Sequence, residues 1–252
     1  EGSLARIVRI QPRSSVLRRS GDDTDTLERV IVANADQLLM VVATTNPEPR
    51  PRLIDRYIIA ALDAGITPIL CITKTDVAAD TELVEYGRTL GITTVSRSPE
   101  NPAREELATI LAGRISVAVG HSGVGKSTLV NELVPGAERA VGDVNDVTGR
   151  GRHTSSSSQA LRLPEGGWVI DTPGVRSFGL GHVSTESIVS AFTDLADYVA
   201  RCPKACAHTA HSIECELARA KADGSLPTEL APRVESLQRL MATIHEPGGT
   251  PE

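Results

Sequence analysis

An eight-residue run in the middle of the chain has the pattern G-x-x-x-x-G-K-[ST] of a phosphate-binding loop. The residues are Gly120, His121, Ser122, Gly123, Val124, Gly125, Lys126 and Ser127, followed by Thr128. An apolar run precedes them and a helical run follows at 128–133, which is the context that the pattern needs. Glycines let backbone N–H groups converge on a phosphate, and the helix adds the positive end of its dipole. We expect residues 120–128 to bind nucleotide phosphates, with Lys126 at the β- and γ-phosphates and Ser127 on Mg²⁺. The alternative is a glycine-rich turn.

The run Thr73-Lys74-Thr75-Asp76 follows the apolar segment 68–72 and resembles the [NT]KxD guanine loop of translation-factor-type GTPases. One carboxylate can accept hydrogen bonds from both N1–H and the 2-amino group of guanine, whereas adenine offers neither donor on that edge. We therefore expect Asp76 to select guanine, while the aliphatic stem of Lys74 covers the face of the base. Ser96, which ends the apolar run Thr93–Ser96, is the expected second part of the base site. The alternative is that 73–76 is a solvated turn.

A third motif, D-x-x-G, is formed by Asp171-Thr172-Pro173-Gly174 after the apolar run 168–170. In this motif Asp171 holds Mg²⁺ through water, and the N–H of Gly174 faces the γ-phosphate. Thr154 lies in the polar, serine-rich run 148–159, which we expect to be a mobile loop. We predict that Thr154 completes the Mg²⁺ shell. The alternative for Asp171 is a helix or turn cap.

The order of these motifs along the chain is unusual. Ordinary GTPases run from the phosphate loop through the switch threonine and D-x-x-G to the guanine loop. Here 73–76 and Ser96 come first, and the phosphate loop, Thr154 and Asp171 follow. Ligands of open α/β sheets bind at the carboxyl ends of the strands, so chain order can change while the site survives. The sequence predicts a circularly permuted G domain.

The hydrophobic pattern predicts the strands and helices that such a domain needs. Strands are predicted at 4–10, Arg29–Ala33, Gln37–Ala43, 69–73, Thr93–Ser96, 115–120 and 168–170, and helices at 53–64, 82–90 and Arg104–Leu111. Alternating strands and helices over 36–180 indicate an α/β fold, a mostly parallel sheet with helices on both faces. Residues 184–252 show no strand pattern, and Leu230, Val234, Leu237 and Met241 form one apolar helical stripe.

Three of the four cysteines lie close together, as Cys202-x-x-x-Cys206-x-His208 followed by Cys215. Three thiolates and one imidazole form a Cys₃His set, which Zn²⁺ closes tetrahedrally with no position left for a catalytic water. We expect a structural zinc ion here; the alternative is a group of free buried thiols. Cys71 lies inside an apolar strand and is predicted to be a packed core thiol.

Composition sets the remaining limits. The chain has 252 residues, a net charge of −6, 40% hydrophobic residues and 2% aromatic residues. These values exclude wholesale disorder and argue against surfaces that stack nucleic-acid bases on rings. No run is long and apolar enough to cross a bilayer, and no signal-peptide pattern opens the chain. We expect a cytoplasmic protein that does not bind membranes. Residues 1–20 carry five arginines against one acidic residue, which leaves a local basic face.

The permuted order, the run GRGRHT at 149–154 and the distal Cys/His cluster together resemble the RsgA/YjeQ family of ribosome-assembly GTPases. The resemblance implies a partial OB-fold-like β segment at 1–35, a permuted GTPase domain at 36–182 and a zinc-binding helical domain at 183–252. It implies GTP and GDP as ligands, Mg²⁺, one structural Zn²⁺, and His208 rather than His211 as the imidazole ligand. It also implies GTP hydrolysis that is slow alone, faster on the small (30S) ribosomal subunit, and used late in its maturation. The expected partners are that subunit and its 16S rRNA, and the expected state is a monomer.

The sequence departs from the expected pattern at two places, the N-terminal strands and the residue after D-x-x-G. An OB-fold needs about five strands, whereas residues 1–33 supply two or three, which weakens any prediction of RNA binding there. Val175 stands where many GTPases place a glutamine that orients water, so another group must do so. His153, next to Thr154, is the candidate; the alternative is a solvated loop histidine.

Two other functions are alternatives to a GTPase. An ATP-dependent P-loop kinase is opposed by the TKTD run and by the permuted order. A nucleotide-gated rRNA-binding module with negligible turnover fits the arginines from Arg6 to Arg19 together with Arg150 and Arg152, and Val175 does not contradict it. Phosphate release in multiple turnovers would separate that module from a GTPase.

Overall fold

A six-stranded sheet lies at the centre of the computed structural model. The structure describes residues 8–10, 12–20, 28–137, 158–173 and 178–245. The strands are β1 (Val16–Arg19), β2 (Arg29–Ala33), β3 (Gln37–Ala43), β4 (Thr67–Thr73), β5 (Thr93–Ser96), β6 (Ile115–Val119), β7 (Gln159–Arg162) and β8 (Trp168–Asp171). The helices are α1 (Pro51–Asp63), α2 (Thr81–Leu90), α3 (Arg104–Leu111), α4 (Lys126–Leu133), α5 (Thr185–Ser190), α6 (Ala196–Val199), α7 (Glu216–Ala222) and α8 (Ala231–His245).

The strand order in the sheet is β5-β4-β3-β6-β8-β7. The first five strands in that order pair in parallel, and the edge pair β7–β8 is antiparallel. The strands β1 and β2 form a separate antiparallel pair. The predicted α/β class with a mostly parallel sheet is confirmed. Because the five strands run in one direction, their carboxyl ends share one edge of the sheet, where a ligand would bind.

The central strand β3 is buried on both faces, as its continuous apolar sequence requires. Leu38, Met40 and Val42 point into the core that contains residues of α1, α2 and α8. The alternating residues Leu39 and Val41, together with Ala43, pack on the opposite face against residues of α3 and α4. Two hydrophobic cores therefore hold the sheet, one on each side.

The C-terminal helix α8 packs on α1 and α2. Its buried residues Val234, Leu237 and Met241 belong to the predicted apolar stripe, whereas Leu230 is half-buried in a short 3₁₀ turn before the helix. Ser236 donates from Oγ to the carbonyl oxygen of Thr89, at 2.6 Å. The helical segment therefore shares a core with the sheet domain.

Two local predictions were wrong. Val8–Ile10 form no strand, and the side chains of Val8 and Ile10 are 91% and 84% exposed; the first described strand is β1, further along. Residues 1–7 lie outside the described residues. Gln159, which was placed in the polar loop, instead begins β7. This edge strand is largely exposed and is held by backbone pairing with β8, so it lacks the hydrophobic signal on which the prediction relied.

Candidate functional site

The phosphate-loop motif turns sharply from the end of β6 into the first residue of α4. A side chain at Gly120 would overlap the carbonyl oxygen of Val41 on the neighbouring strand, so only glycine fits there. Gly125, at φ +92°, makes the last turn before the helix. Residues 120–127 thus form the strand–loop–helix unit that the sequence predicted, with the N–H groups that begin α4 at the loop.

Lys126 is the first residue of α4, and its side chain folds back across the loop. The residue is 8% exposed, and its Nζ donates to the carbonyl oxygen of Gly120 at 3.5 Å. This places an ammonium group over the concave side of the loop, where phosphates would lie. Ser127 and Thr128 are half-buried in the same turn of the helix.

Thr73, at the end of β4, joins the guanine-loop motif to the phosphate loop. It is buried, and its Oγ1 donates to the carbonyl oxygen of Val124 at 2.6 Å. The two motifs are 51 residues apart in sequence, yet this hydrogen bond brings them into direct contact. The hydroxyl of Thr73 therefore faces the phosphate loop.

Lys74 and Asp76 lie on the exposed part of the same loop. Lys74 has a positive φ of 61°, and its Nζ donates to the carbonyl oxygen of Asn46. Partial burial lowers the pKa of the Lys74 ammonium, and the neighbouring Asp76 carboxylate opposes that shift. The Asp76 side chain is exposed. A ligand at this edge of the sheet can therefore reach its carboxylate.

Sequence reasoning did not single out Thr44, which supports the guanine loop. Thr44 follows β3, and its Oγ1 donates to the carbonyl oxygen of Lys74 at 2.7 Å while its N–H donates to that of Thr73 at 3.0 Å. The second base-site candidate, Ser96, is half-buried and pairs in register with Ile72 at the end of β4. A threonine directly after a central strand was the available signal for Thr44.

The Mg²⁺ candidates that the structure describes lie at the same edge. Asp171 is the last residue of β8, is 1% exposed, and pairs in register with Ala118, two residues before the phosphate loop. Thr172 donates from Oγ1 to the carbonyl oxygen of Ala118 at 2.7 Å, which fixes the start of the D-x-x-G segment. His153, Thr154 and Gly174 lie outside the described residues.

The four predicted zinc ligands converge. One ligand atom from each of Cys202, Cys206, His208 and Cys215 lies within 4.8 Å of all the others. The Sγ atoms of Cys202 and Cys215 are 4.0 Å apart. Tetrahedral zinc with Zn–S bonds of about 2.3 Å separates its sulfurs by about 3.8 Å, so this donor set fits the ion.

His208, and not the exposed His211, belongs to this group. The remaining cysteine, Cys71, is fully buried in β4 and apart from the cluster, as predicted. Burial raises the pKa of its thiol to about 12, which makes it unreactive. No helix among the described residues is long and apolar enough to span a bilayer.

Comparison with known proteins agrees with this geometry. The family model of the RsgA GTPase matches residues 10–181. A protein of Pseudomonas aeruginosa (strain LESB58) named small ribosomal subunit biogenesis GTPase RsgA is 40% identical over 248 residues, covering 95% of this chain and 71% of that protein. A protein of the same name from Pseudomonas fluorescens (strain SBW25) is 37% identical, with 95% and 70% covered.

Two solved structures share the fold. The crystal structure of YjeQ from Thermotoga maritima superposes with a TM-score of 0.64 at 24% identity, covering 94% of this chain and 77% of that one. The structure of YloQ, described as a circularly permuted GTPase, gives 0.60 at 21% identity, covering 95% and 83%. With the family model matching more than half of the chain and a relative 40% identical along most of its length, this chain belongs to the RsgA GTPase family.

Proposed function

We propose that this protein binds GTP at the carboxyl edge of its parallel sheet and hydrolyses it during biogenesis of the small ribosomal subunit. The hydrogen bond from the buried Thr73 hydroxyl to the Val124 carbonyl is the observation that carries the proposal. It joins a base-recognition motif to a phosphate-binding motif, and one nucleotide must touch both. The permuted chain order is compatible with a single site because strand direction, not chain order, sets the edge.

Different residues are proposed to bind the phosphates, the base and the Mg²⁺ ion of the nucleotide. The backbone of 120–128 and the Lys126 ammonium hold the β- and γ-phosphates, and the Asp76 carboxylate accepts from guanine, with Lys74 and Ser96 at the base. Ser127, Asp171 and Thr154 are the proposed Mg²⁺ residues, and Gly174 faces the γ-phosphate. A bound Mg²⁺ supplies charge that neutralises the developing negative charge on the phosphates.

The proposed hydrolysis needs a group that orients the attacking water and a partner that stimulates the reaction. Val175 has no polar group that could orient the water, so we assign that role to His153. Relatives are named small ribosomal subunit biogenesis GTPases, and we propose that the small (30S) subunit and its 16S rRNA stimulate hydrolysis late in maturation. A maturing subunit is a cytoplasmic particle in bacteria, so we propose a cytoplasmic location. We also propose that the protein acts as a monomer.

The proposed division of the chain is a partial OB-fold-like segment at 1–35, the permuted GTPase domain at 36–182 and a zinc-binding helical domain at 183–252. The hairpin β1–β2 supports the first unit, and the convergence of Cys202, Cys206, His208 and Cys215 supports the third. One Zn²⁺ bound by these four residues would be structural because no coordination position remains for water.

The first prediction concerns nucleotide choice. Asp76→Asn should lower the affinity for GDP at least about tenfold, since it removes two charge-assisted hydrogen bonds to guanine. Competition of GDP and ADP against a fluorescent GDP analogue measures the effect. Asp80→Asn, a matched change four residues along, should keep the guanine preference. A full guanine preference in Asp76→Asn would contradict the proposed base site.

The second prediction concerns the water-orienting group. His153→Ala should slow single-turnover GTP hydrolysis in the presence of small subunits by about 10²-fold, the usual effect of losing such a group. Ser156→Ala, in the neighbouring serine run, serves as the control and should hydrolyse GTP normally. Equal rates for His153→Ala and the unaltered protein would remove His153 from the mechanism.

The third prediction concerns the metal. The purified protein should contain about one zinc per chain by elemental analysis, and Cys215→Ser should lose it because a hydroxyl is a poor zinc ligand. Cys71→Ala also removes a buried thiol but should keep the full zinc content. Removal of zinc by a chelator should lower the melting temperature. If the protein contains no zinc, the structural metal site is wrong.

A further inference from the structure

Arg97, the residue after Ser96, begins the loop after β5 and is hydrogen-bonded to the neighbouring guanine loop. Its N–H donates to the carbonyl oxygen of Ile72 at 2.8 Å, at the end of β4. Its carbonyl oxygen accepts from the N–H of Thr75 at 3.4 Å, inside the guanine loop. The backbone of Arg97 is therefore hydrogen-bonded both to the end of β4 and to the guanine loop.

The side chain of Arg97 runs in the opposite direction, into the protein. It is 5% exposed, its Nε donates to the carbonyl oxygen of Pro102 at 3.3 Å, and its Nη2 donates to the carboxylate of Glu132. A buried guanidinium is costly unless it is paired and hydrogen-bonded. The pairing with Glu132 is therefore a strong local constraint on where both residues lie.

Glu132 belongs to α4, the helix that begins with Lys126 and continues the phosphate loop. Glu132 lies six positions after Lys126, which is about 9 Å along the helix. The Arg97–Glu132 ion pair thus connects the loop that begins after β5 to α4, the helix that follows the phosphate loop. With the Thr73–Val124 hydrogen bond it makes a second cross-link between the same two parts of the site.

We propose that the Arg97–Glu132 ion pair sets the separation and orientation of the guanine loop relative to the phosphate loop. A nucleotide spans only a limited range of distances between base and β-phosphate, so both loops bind it fully only within a narrow range of separations. Arg97 acts here as a positioning residue, since its guanidinium is engaged by Glu132 and Pro102 beneath the loops. The inference rests on the proposed binding of guanine nucleotides at this edge.

The proposed role makes the rate of GDP release and the preference for GDP over inosine diphosphate depend on Arg97 and Glu132, although neither side chain would touch the nucleotide. If the loops lose their relative position, GDP leaves faster, because base and phosphate contacts no longer form together. Discrimination of GDP from inosine diphosphate, which lacks the 2-amino group, also decreases because Asp76 is displaced. A purely structural role would lower the melting temperature and leave both quantities in the folded protein unchanged.

The test measures release of GDP that carries a fluorescent ribose group, together with the GDP to inosine diphosphate affinity ratio. Arg97→Met and Glu132→Gln should each release GDP about tenfold faster and lower that ratio. Their double variant should release GDP no faster than Arg97→Met alone, because the two residues act as one unit. If Arg97→Met does not fold, Glu132→Gln, altered at a side chain that is 32% exposed, decides the question.

Arg233→Met is the matched control. Arg233 pairs with Asp194 at 2.9 Å and donates to the carbonyl oxygen of Leu90 at 2.7 Å, away from the nucleotide loops. Its loss should lower the melting temperature but leave GDP release unchanged. Unchanged release in Arg97→Met and Glu132→Gln, or equal acceleration in Arg233→Met, would overturn the inference. Failure of the unaltered protein to bind GDP would instead refute the proposed function, and this inference with it.

Discussion

The parallel direction of β4, β6 and β8 is the constraint on which the site depends. It brings the residues that follow these strands to one edge of the sheet, whatever their order in the chain. Register makes the arrangement specific: β6 and β8 pair Ala118 with Asp171, and β3 pairs with both β4 and β6. Buried hydrogen bonds then fix the loops, from Thr73 to Val124 and from Thr172 to Ala118.

Much of this architecture could be predicted because the buried strands are continuous apolar runs. The bounds of β3 and β5 were predicted to the residue, and the motif glycines marked the turn into α4. The edge strand β7 was missed because backbone pairing, which leaves no hydrophobic pattern, holds it. Thr44 and Arg97 were missed for a related reason. Their side chains act through contacts with residues 30 and 35 positions away, and no local pattern encodes such a contact.

The helix α8 ties the C-terminal segment to the helices beside the site. Asp55 of α1 accepts a hydrogen bond from the Tyr86 hydroxyl of α2. Its carboxylate also pairs with Arg239 of α8, whose Nε lies 3.3 Å from Oδ1. The Arg239 guanidinium also lies 4.5 Å from the centre of the Tyr86 ring. Burial raises the pKa of the Asp55 carboxyl, while Tyr86 and Arg239 oppose that rise. These contacts fix α8 against α1 and α2.

The most direct test of a single permuted nucleotide site is a crystal structure with a non-hydrolysable GTP analogue and Mg²⁺. We expect the guanine edge within hydrogen-bond distance of the Asp76 carboxylate and the β- and γ-phosphates in the loop beside Lys126. The metal should lie between Ser127 and Asp171. A nucleotide whose phosphates occupy this loop while its base points away from Asp76 would contradict the account.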